Sequence, residues 1–246
     1  MISVESQNTV HKAWMLRVLT EIAKDDLLTK QLIFKGGTCA SMMGILNRFS
    51  VDLDFDVLNL EKTPEIRKAF YNIFTKLELS VKDESKNVVE FFVKYPAKEN
   101  ERSILKIDAV VGVFKNAVNA PMYLPEISRT LMCQTKETIF SHKLVALKER
   151  YDKKEAIAGR DLYDIHYFFF QGLRYIPELI EERTKKSPSA YFKELVGFIE
   201  SKMDQENIDR DLNTLLLTKE FHKVRKILKQ EAIFFLNQEI SRLDNA

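Results

Sequence analysis

The stretch Arg48-Phe49-Ser50-Val51-Asp52-Leu53-Asp54-Phe55-Asp56-Val57 alternates between apolar and acidic residues from its fourth position onward. This period of two predicts a β-strand with apolar side chains on one face and three aspartates on the other. Like charges at positions i and i+2 repel, and burying them is costly unless a cation lies between them. Asp52 and Asp54 are therefore candidate ligands of Mg²⁺, which prefers oxygen atoms and leaves positions for phosphate. We expect Asp56 either to face solvent or to support the other two.

A second strand is predicted from Ile104 to Val111, where Lys106 and Asp108 share the polar face. If this strand lies beside the first, Asp108 is a third carboxylate and the site has ligands for two metal ions. The alternative is a half-buried sheet whose polar face simply meets solvent, because that arrangement produces the same alternation. The aspartate spacing alone does not decide between these interpretations.

A glycine turn precedes the aspartate strand. The apolar run Leu32-Ile33-Phe34 is followed by Gly36 and Gly37, and Thr38 begins a stretch with helical periodicity. Glycines allow the backbone to approach an anion closely, and the first N–H groups of a helix can bind phosphate. Thr38 would add a hydroxyl donor or cap the helix. A plain tight turn is the alternative interpretation.

The other patterns predict an α+β fold with two domains, a sheet-containing one over residues 1–130 and an all-helical one over residues 131–246. In the first, helices are predicted from Val10 to Ile22 and from Pro64 to Leu77, and a further strand from Val88 to Tyr95.

We expect the domain boundary near Pro121–Thr135, because helical periodicity dominates the sequence from there on. Glycines and a Lys-Lys-Ser-Pro-Ser segment separate the predicted helices. These helices cover about 136–151, 161–172, 175–184, 190–203 and 211–241.

The helical half carries a second candidate cluster. Lys143, Leu147 and Arg150 follow at i, i+4 and i+7, and Asp161 and Asp164 follow at i, i+3, so each set shares a helix face. A cation there could meet the β- and γ-phosphates or the charge on leaving pyrophosphate. Alternatively, Asp161 is a helix N-cap and the two cations are surface salt-bridge partners.

Composition sets limits on function. The chain has 246 residues, a net charge of +2 and only two cysteines, which argues against a disulfide framework and against a cysteine metal site. The sequence shows neither a signal core nor an apolar run long enough to span a membrane, so we expect a cytoplasmic protein. Because the net charge is small, contact with nucleic acid would require a local basic face.

One such face is predicted between residues 219 and 229. Apolar residues at helical spacing are expected to face a core, which leaves the basic residues outward, where they could bind an RNA backbone. An ordinary solvated helix face is the alternative. The apolar set is Phe221, Val224, Ile227 and Leu228, and the basic set is Lys219, His222, Lys223, Arg225, Lys226 and Lys229, against the single acid Glu220.

Together these segments resemble the AbiEii/AbiGii toxin family, with its MenT-like members, within the nucleotidyltransferase superfamily. The family pattern is K-G-G-T, R-x-S-x-D-h-D-h, K-h-x-A-h-x-x-R and R-D-h-x-D-h, where h is apolar. All four blocks occur here in order, as Lys35-Gly36-Gly37-Thr38, Arg48 to Phe55, Lys143 to Arg150, and Arg160-Asp161-Leu162-Tyr163-Asp164-Ile165.

The resemblance implies a nucleotidyltransferase-fold mixed sheet flanked by helices, a helical C-terminal domain, and a Mg²⁺-dependent transfer, with Mn²⁺ as the other candidate metal. It also implies a nucleoside triphosphate substrate, a transfer RNA acceptor, and a cognate antitoxin in a toxin–antitoxin or phage-defence pair. The implied catalytic residues are Asp52, Asp54, Lys143 and Asp161. The implied nucleotide contacts are Gly36, Gly37, Thr38, Ser50, Lys143 and Arg150, and the metal ligands are Asp52, Asp54 and Asp108.

Two other functions stay open at this stage. One is a nucleotidyltransferase that modifies a small molecule or a protein hydroxyl, because the fold does not select the acceptor. The other is a nucleotide-binding regulator without turnover. The paired carboxylates argue against the regulator, since binding alone does not require a metal-holding pair.

Overall fold

The computed structural model describes residues 4–98, 102–110 and 112–245. Contacts between Cα atoms divide them into two compact units, which we describe separately. The first unit takes in described residues within 4–44, 49–113 and 119–134, and the second takes in 45–48, 114–118 and 135–245.

The first unit is a mixed α+β structure, as predicted, and its described residues form four α-helices and seven strands. In chain order these are α1 (Val4–Ile22), α2 (Asp26–Gln31), β1 (Leu32–Lys35), α3 (Gly36–Met42), β2 (Asp52–Val57), α4 (Thr63–Lys76), β3 (Ser80–Glu84), β4 (Val89–Lys94), β5 (Ile104–Val110), β6 (Asn119–Leu124) and β7 (Arg129–Gln134).

The aspartate strand β2 lies at the centre of the sheet, whose order is β3-β4-β5-β2-β1-β7-β6. It pairs parallel with β5 and antiparallel with β1. The predicted alternation is confirmed, because Leu53, Phe55 and Val57 are buried at 0–1% exposure. Helix α1 packs on the sheet at β2 and β5, and α4 packs at β3 and β4. The polar face of β2 is therefore the one opposite the helix-covered core.

Aromatic packing fixes α4 against the sheet. Phe70 and Phe74, one helical turn apart, both contact Phe91 of β4, with ring centroids 5.7 and 5.2 Å apart. All three side chains are buried, and such aromatic contacts favour offset and edge-on geometries. This cluster holds β4, and with it the polar side chains of its opposite face, in fixed register.

Three strands were absent from the sequence prediction. Strand β3 is almost wholly exposed and shows no apolar alternation. The hairpin β6–β7 occupies the stretch interpreted as a domain boundary, where Pro121 argued against a strand. Because β6 pairs only with β7, it is an edge strand, and an edge position tolerates a missing backbone donor. Val111, the predicted end of β5, lies outside the described residues.

The second unit is helical, as predicted. Its helices are α5 (Lys136–Lys154), α6 (Gly159–Phe170), α7 (Pro177–Thr184), α8 (Pro188–Lys202), α9 (Gln205–Leu212), α10 (Thr218–Val224) and α11 (Leu228–Asp244). Helix α5 packs on α6 and α7, and α11 packs on α6 and α8. Thr135 caps α5 through its side chain, and Ser187 does the same for α8, immediately before Pro188.

The prediction of one helix over 211–241 is wrong, because the chain turns after Leu212 and again after Val224. Neither turn contains glycine or proline, so no local signal marked it. Tertiary contacts supply the reason: Arg225 donates to Asp209 of α9, which bends the chain back. As a consequence Ile227, expected in the core, is 42% exposed.

Two further expectations concern cysteines and membranes. Cys39 and Cys133 are both buried as free thiols. Burial, with contacts to Cys133, raises the pKa of the Cys39 thiol well above its usual value. Over the residues that the structure describes, no helix combines the length and apolar character needed to cross a bilayer.

The contact between α6 and α9 gives a test of this packing. A Cβ at Gly159 would lie 2.6 Å from the carbonyl oxygen of Asn207 and 2.8 Å from the Cα of Ile208. We expect Gly159→Ala to destabilise the helical unit by about 1–3 kcal/mol, because backbone atoms cannot move aside cheaply. The control is Gly197→Ala in α8, where a Cβ meets nothing within 4 Å and a gain of about 0.5–1 kcal/mol is expected. Urea denaturation measures both, and equal stabilities would contradict the packing argument.

Candidate active site

The polar face of the sheet carries five carboxylates on three neighbouring strands. Register places Asp54 beside Asp108 of β5, and Asp108 beside Glu90 of β4. Directly paired residues share a face, with Cβ atoms about 4.5–5.5 Å apart. Asp52 and Asp56 lie on the same face of β2, two residues before and two residues after Asp54. The structure therefore brings together the three predicted aspartate ligands and adds Glu90, which the sequence analysis missed.

Lys106 neutralises one end of this row. Its ammonium lies 2.8 Å from Oδ2 of Asp108 and 2.7 Å from Oε1 of Glu90. Partial burial alone would lower the pKa of Lys106, but hydrogen bonds with both carboxylates outweigh it and raise the pKa above its usual value. Lys106 is thus a fixed cation on this face. In the sequence, Lys106 is marked only by its position two residues before Asp108, which places both side chains on the same face of the strand.

Lys35 neutralises the other end. Its ammonium lies 2.5 Å from Oδ1 of Asp56, and the side-chain amide of Gln134 donates to Oδ2 at 2.7 Å. Asp56 is only 3% exposed, so the expectation that it faces solvent is wrong. The reason is its position near the C-terminal end of β2, which we call the inner end. There the side chains of Lys35 of β1 and Gln134 of β7 contact Asp56. Asp56 instead fixes the lysine that begins the glycine turn.

The glycine turn lies directly against the aspartates. Gly36 has φ +78°, and a Cβ there would overlap the carboxylate of Asp54. The hydroxyl of Thr38 donates to the backbone carbonyl of Asp52 at 2.5 Å. Thr38 is therefore not the helix cap considered from the sequence; the N-cap is Lys35, which makes no side-chain cap. Ser50 lines a small pocket together with Thr38, Met42 and other residues of this unit.

The carboxylate face has the donor chemistry for Mg²⁺. Oδ1 of Asp108 is buried and has no hydrogen-bond partner among the described residues. Within those residues, no three His, Cys, Asp or Glu side chains are arranged to hold a metal by themselves. Mg²⁺ does not need such a cage, because it often uses one or two carboxylates and completes its shell with water and substrate phosphates. The donors fit an ion whose remaining positions are filled by water or by the phosphates of a substrate.

The helical unit contains a separate buried cluster of charges. Lys143 lies 3.3 Å from Asp161 and 2.8 Å from Asp164. Arg48 binds Asp164 through two donors, at 2.5 Å from Nε and 2.7 Å from Nη2, and Arg150 lies 3.0 Å from Asp161. The two carboxylates are at most 1% exposed. Three cations thus surround two buried anions, as an extended and geometrically defined network.

This geometry decides against a helix-cap role for Asp161 and a surface position for Lys143, whereas the Arg150 side chain is 37% exposed and lies partly at the surface. Asp161 is not a helix N-cap, because α6 begins at Gly159 with Ala158 as its cap. Lys143 is not a surface partner, since its side chain is only 15% exposed. Burial alone would raise the pKa of Asp161, but Lys143 and Arg150 outweigh it and lower that pKa below the usual value. Asp161 is therefore a stable anion.

Arg48 was not predicted as a member of this cluster, and Asp164 was placed in it without an assigned role. Arg48 stands in the aspartate block and Asp164 in the last block, and nothing in either block indicates that they pair with each other across 116 positions. Burial alone would lower the pKa of Arg48, but Asp164 outweighs it and raises the pKa. Their pairing shows that the two blocks share a structural role in the helical unit.

Comparison with known proteins places the chain in a family. Residues 17–228 match the family model described as nucleotidyl transferase AbiEii toxin of a type IV toxin–antitoxin system. The chain belongs to the AbiEii nucleotidyl transferase toxin family. The sequence resemblance is thereby confirmed. No curated protein gives a significant match to this AbiEii-family sequence.

Solved structures support the fold of this AbiEii-family chain. A Helicobacter pylori protein classed as a nucleotidyltransferase aligns at TM-score 0.57 with 18% identity, over 99% of this chain and 98% of that one. JHP933 from Helicobacter pylori aligns at 0.54 with 18% identity, over 100% and 99%. MenT4, a nucleotidyltransferase toxin from Mycobacterium tuberculosis, aligns at 0.55 with 14% identity, over 98% and 88%. At these identities the likeness shows the α+β nucleotidyltransferase fold.

The buried network of the helical unit can be tested by charge removal. We expect Asp164→Asn to destabilise the protein by about 3–5 kcal/mol, because Arg48 and Lys143 would keep buried charge without their partner. The control is Glu194→Gln, which breaks an exposed ion pair with Lys186 and should change stability by less than about 1 kcal/mol. Chemical denaturation followed by circular dichroism measures both. A loss below about 1 kcal/mol for Asp164→Asn would contradict the proposed importance of the network.

Proposed function

We propose that the protein transfers a nucleotide from a nucleoside triphosphate to a hydroxyl of transfer RNA, with Mg²⁺ as cofactor and Mn²⁺ as the other candidate. The observation that carries this proposal is the contact of Gly36 with Asp54, because it sets a backbone turn beside the carboxylates that a metal–triphosphate needs. Membership of a type IV toxin family implies a cognate antitoxin. Phage defence and a cytoplasmic location, where both substrates occur, belong to the same proposal.

The glycine turn would receive the triphosphate. Gly36 and Gly37 lack side chains, so phosphate oxygens can approach the backbone N–H groups at the start of α3. Thr38 would act by holding the backbone of Asp52 through the contact described above, and Ser50 would contact the nucleotide nearby. Asp52 and Asp54 would hold Mg²⁺, with Oδ1 of Asp108 as a third ligand. The ion would supply charge stabilisation at the reacting phosphate.

In the transfer step, the acceptor hydroxyl would lose its proton to water and its oxygen would form a bond to the α-phosphorus. The bond from that phosphorus to the α,β-bridging oxygen would break, which releases pyrophosphate. Lys143 and Arg150 would neutralise negative charge on the triphosphate. Asp161 would orient these two cations. Its lowered pKa makes it a weak base, so orientation is favoured over proton abstraction from the acceptor.

A basic surface on α10 favours RNA as the acceptor. Lys219, His222, Lys223 and Lys226 are exposed on a short stretch of chain. Three of the six predicted members have contacts in the structure. Lys223 lies 3.4 Å from Glu220, Arg225 binds Asp209, and Lys229 donates to backbone carbonyls of Glu200 and Met203. Four exposed basic side chains are a modest electrostatic surface, of the kind that contacts phosphates without reading sequence.

Two alternatives give different outcomes in a single assay. The protein is incubated with each α-labelled triphosphate, with and without transfer RNA. Label that enters RNA supports the main proposal, and label that enters only protein or a small molecule supports a different acceptor. Triphosphate binding without any transfer would indicate a regulator. The paired carboxylates disfavour that last outcome, since binding alone does not require them.

The carboxylate assignment is tested by Asp54→Asn in this assay. We expect transfer to fall by at least about a hundredfold, because even lesser changes around a metal site cost 10–100-fold. Asp83→Asn, which changes an exposed carboxylate on β3 of the same sheet, should transfer at the wild-type rate. Undiminished transfer by folded Asp54→Asn protein would refute the assignment.

The acceptor surface is tested by the double variant Lys223→Ala/Lys226→Ala. We expect transfer RNA to bind more weakly, and the slope of log K against log salt to become shallower by roughly 1.5–2, since about two phosphate contacts are lost. Lys62→Ala/Lys68→Ala removes two exposed lysines from the other unit and serves as the control. Filter binding at several salt concentrations measures the slopes. Equal slopes for the two double variants would argue for a merely solvated face on α10.

A further inference from the structure

Two lysines pair with carboxylates on the polar face of the sheet. Five carboxylates of β2, β4 and β5 lie on this face, and Lys35 and Lys106 each place an ammonium group against them. Lys35 serves Asp56, and Lys106 bridges Asp108 and Glu90. These pairs involve three of the five carboxylates. Asp52 and Asp54, toward the N-terminal end of β2, are the two that the proposed function assigns to the metal.

Asp108 presents its two oxygens to different surroundings. Oδ2 accepts from Lys106 at 2.8 Å, whereas Oδ1 is buried and has no hydrogen-bond partner within the described part of the chain. A carboxylate held in this way offers one oxygen to a ligand and has its other oxygen already committed. The side chain of Lys106 is itself constrained, because its ammonium also lies 5.9 Å from the ring centre of Phe92.

We infer that Lys106 acts as a built-in cation that takes the place of a second metal ion on this face. It holds Oδ2 of Asp108 and Oε1 of Glu90, leaves Oδ1 of Asp108 for the ion that Asp52 and Asp54 would bind, and limits the face to one divalent ion. The inference rests on the proposed function, since it assumes that Asp52 and Asp54 bind a metal. It assigns Lys106 and Glu90 as positioning residues.

The physical reason is competition for the same carboxylates. A divalent ion between Asp108 and Glu90 would have to displace an ammonium that already makes two charge-assisted hydrogen bonds there. Removing that ammonium leaves two half-buried carboxylates facing each other across paired strands, a pairing that repels. Such a pair should recruit a cation from solution. Replacing Lys106 by a neutral residue therefore converts a lysine site into a metal site.

Metal counting tests this inference without any activity measurement. Mn²⁺ is titrated into the protein, and free Mn²⁺ is followed by its electron paramagnetic resonance signal. We expect one ion per chain for the wild type, two for Lys106→Met, and one for Lys106→Arg, which keeps the cation. Lys94→Met is the matched control, because it removes an exposed lysine of the neighbouring strand β4 and should leave the count at one.

Thermal melting gives a second readout. Without metal, Lys106→Met should melt below the wild type, and Mn²⁺ should raise its melting temperature by more than it raises that of the wild type. If Lys106→Met fails to fold, Lys106→Met/Glu90→Gln removes both partners and restores the balance. That double variant should bind one ion, and a count of two for it would overturn the role of Glu90.

The outcomes separate this inference from the function on which it depends. A wild type that binds no Mn²⁺ would contradict the metal site of the proposed function. Two ions in the wild type, or one ion in Lys106→Met with no extra thermal gain, would contradict the role of Lys106 and leave the metal site standing. A second ion in Lys94→Met as well would show that any lost positive charge has this effect, and would overturn the specific assignment.

Discussion

Electrostatic repulsion on one face of the central strands is the constraint on which the site depends. Three aspartates on β2 are joined by Asp108 and Glu90 on the adjoining strands, all on the side away from the helix-covered core. Such a face is unstable without cations, because like charges directly opposite each other in a sheet repel. Lys35 and Lys106 supply part of the compensation from within the same sheet. On this face five carboxylate side chains lie on three neighbouring strands, and this grouping makes the face a candidate active site.

The helical unit shows the opposite arrangement, because three cationic side chains there surround two buried carboxylates. Arg48, Lys143 and Arg150 converge on Asp161 and Asp164, which are almost fully buried. Buried ion pairs of this kind are weak contributors to stability, because desolvation consumes much of the attraction. A fold seeking stability alone would do as well with apolar side chains at these positions. Under the proposed function, the network would hold a lysine and an arginine in fixed orientation for an anionic ligand.

Features encoded by local sequence patterns could be predicted, and features that depend on contacts between distant segments could not. The alternation at β2, the glycine turn and the charged blocks are local patterns, and each gave the correct element. The family motifs also located both charge clusters. Pairings between distant segments were beyond reach: nothing local joins Arg48 to Asp164, or Asp56 to Gln134. The same limit explains the errors in the fold. Strand β3 has no apolar alternation, β6 contains Pro121, and the chain turns after Leu212 and Val224 because of contacts made elsewhere.

The ammonium groups of Lys35 and Lys106 belong to the chain and are present while it folds, whereas a divalent ion must bind from solution. Lysines of the sheet neutralise their carboxylates as soon as the strands pair, so β4, β5 and the inner end of β2 need no metal to assemble. Asp52 and Asp54, at the outer end, are the carboxylates that would meet a metal–triphosphate under the proposed function, and Asp54 lies beside Gly36. A divalent ion bound to Asp52 and Asp54 would supply the positive charge that the triphosphate requires during transfer. The distribution of lysines along the face therefore separates the charge that the fold requires from the charge that the reaction requires.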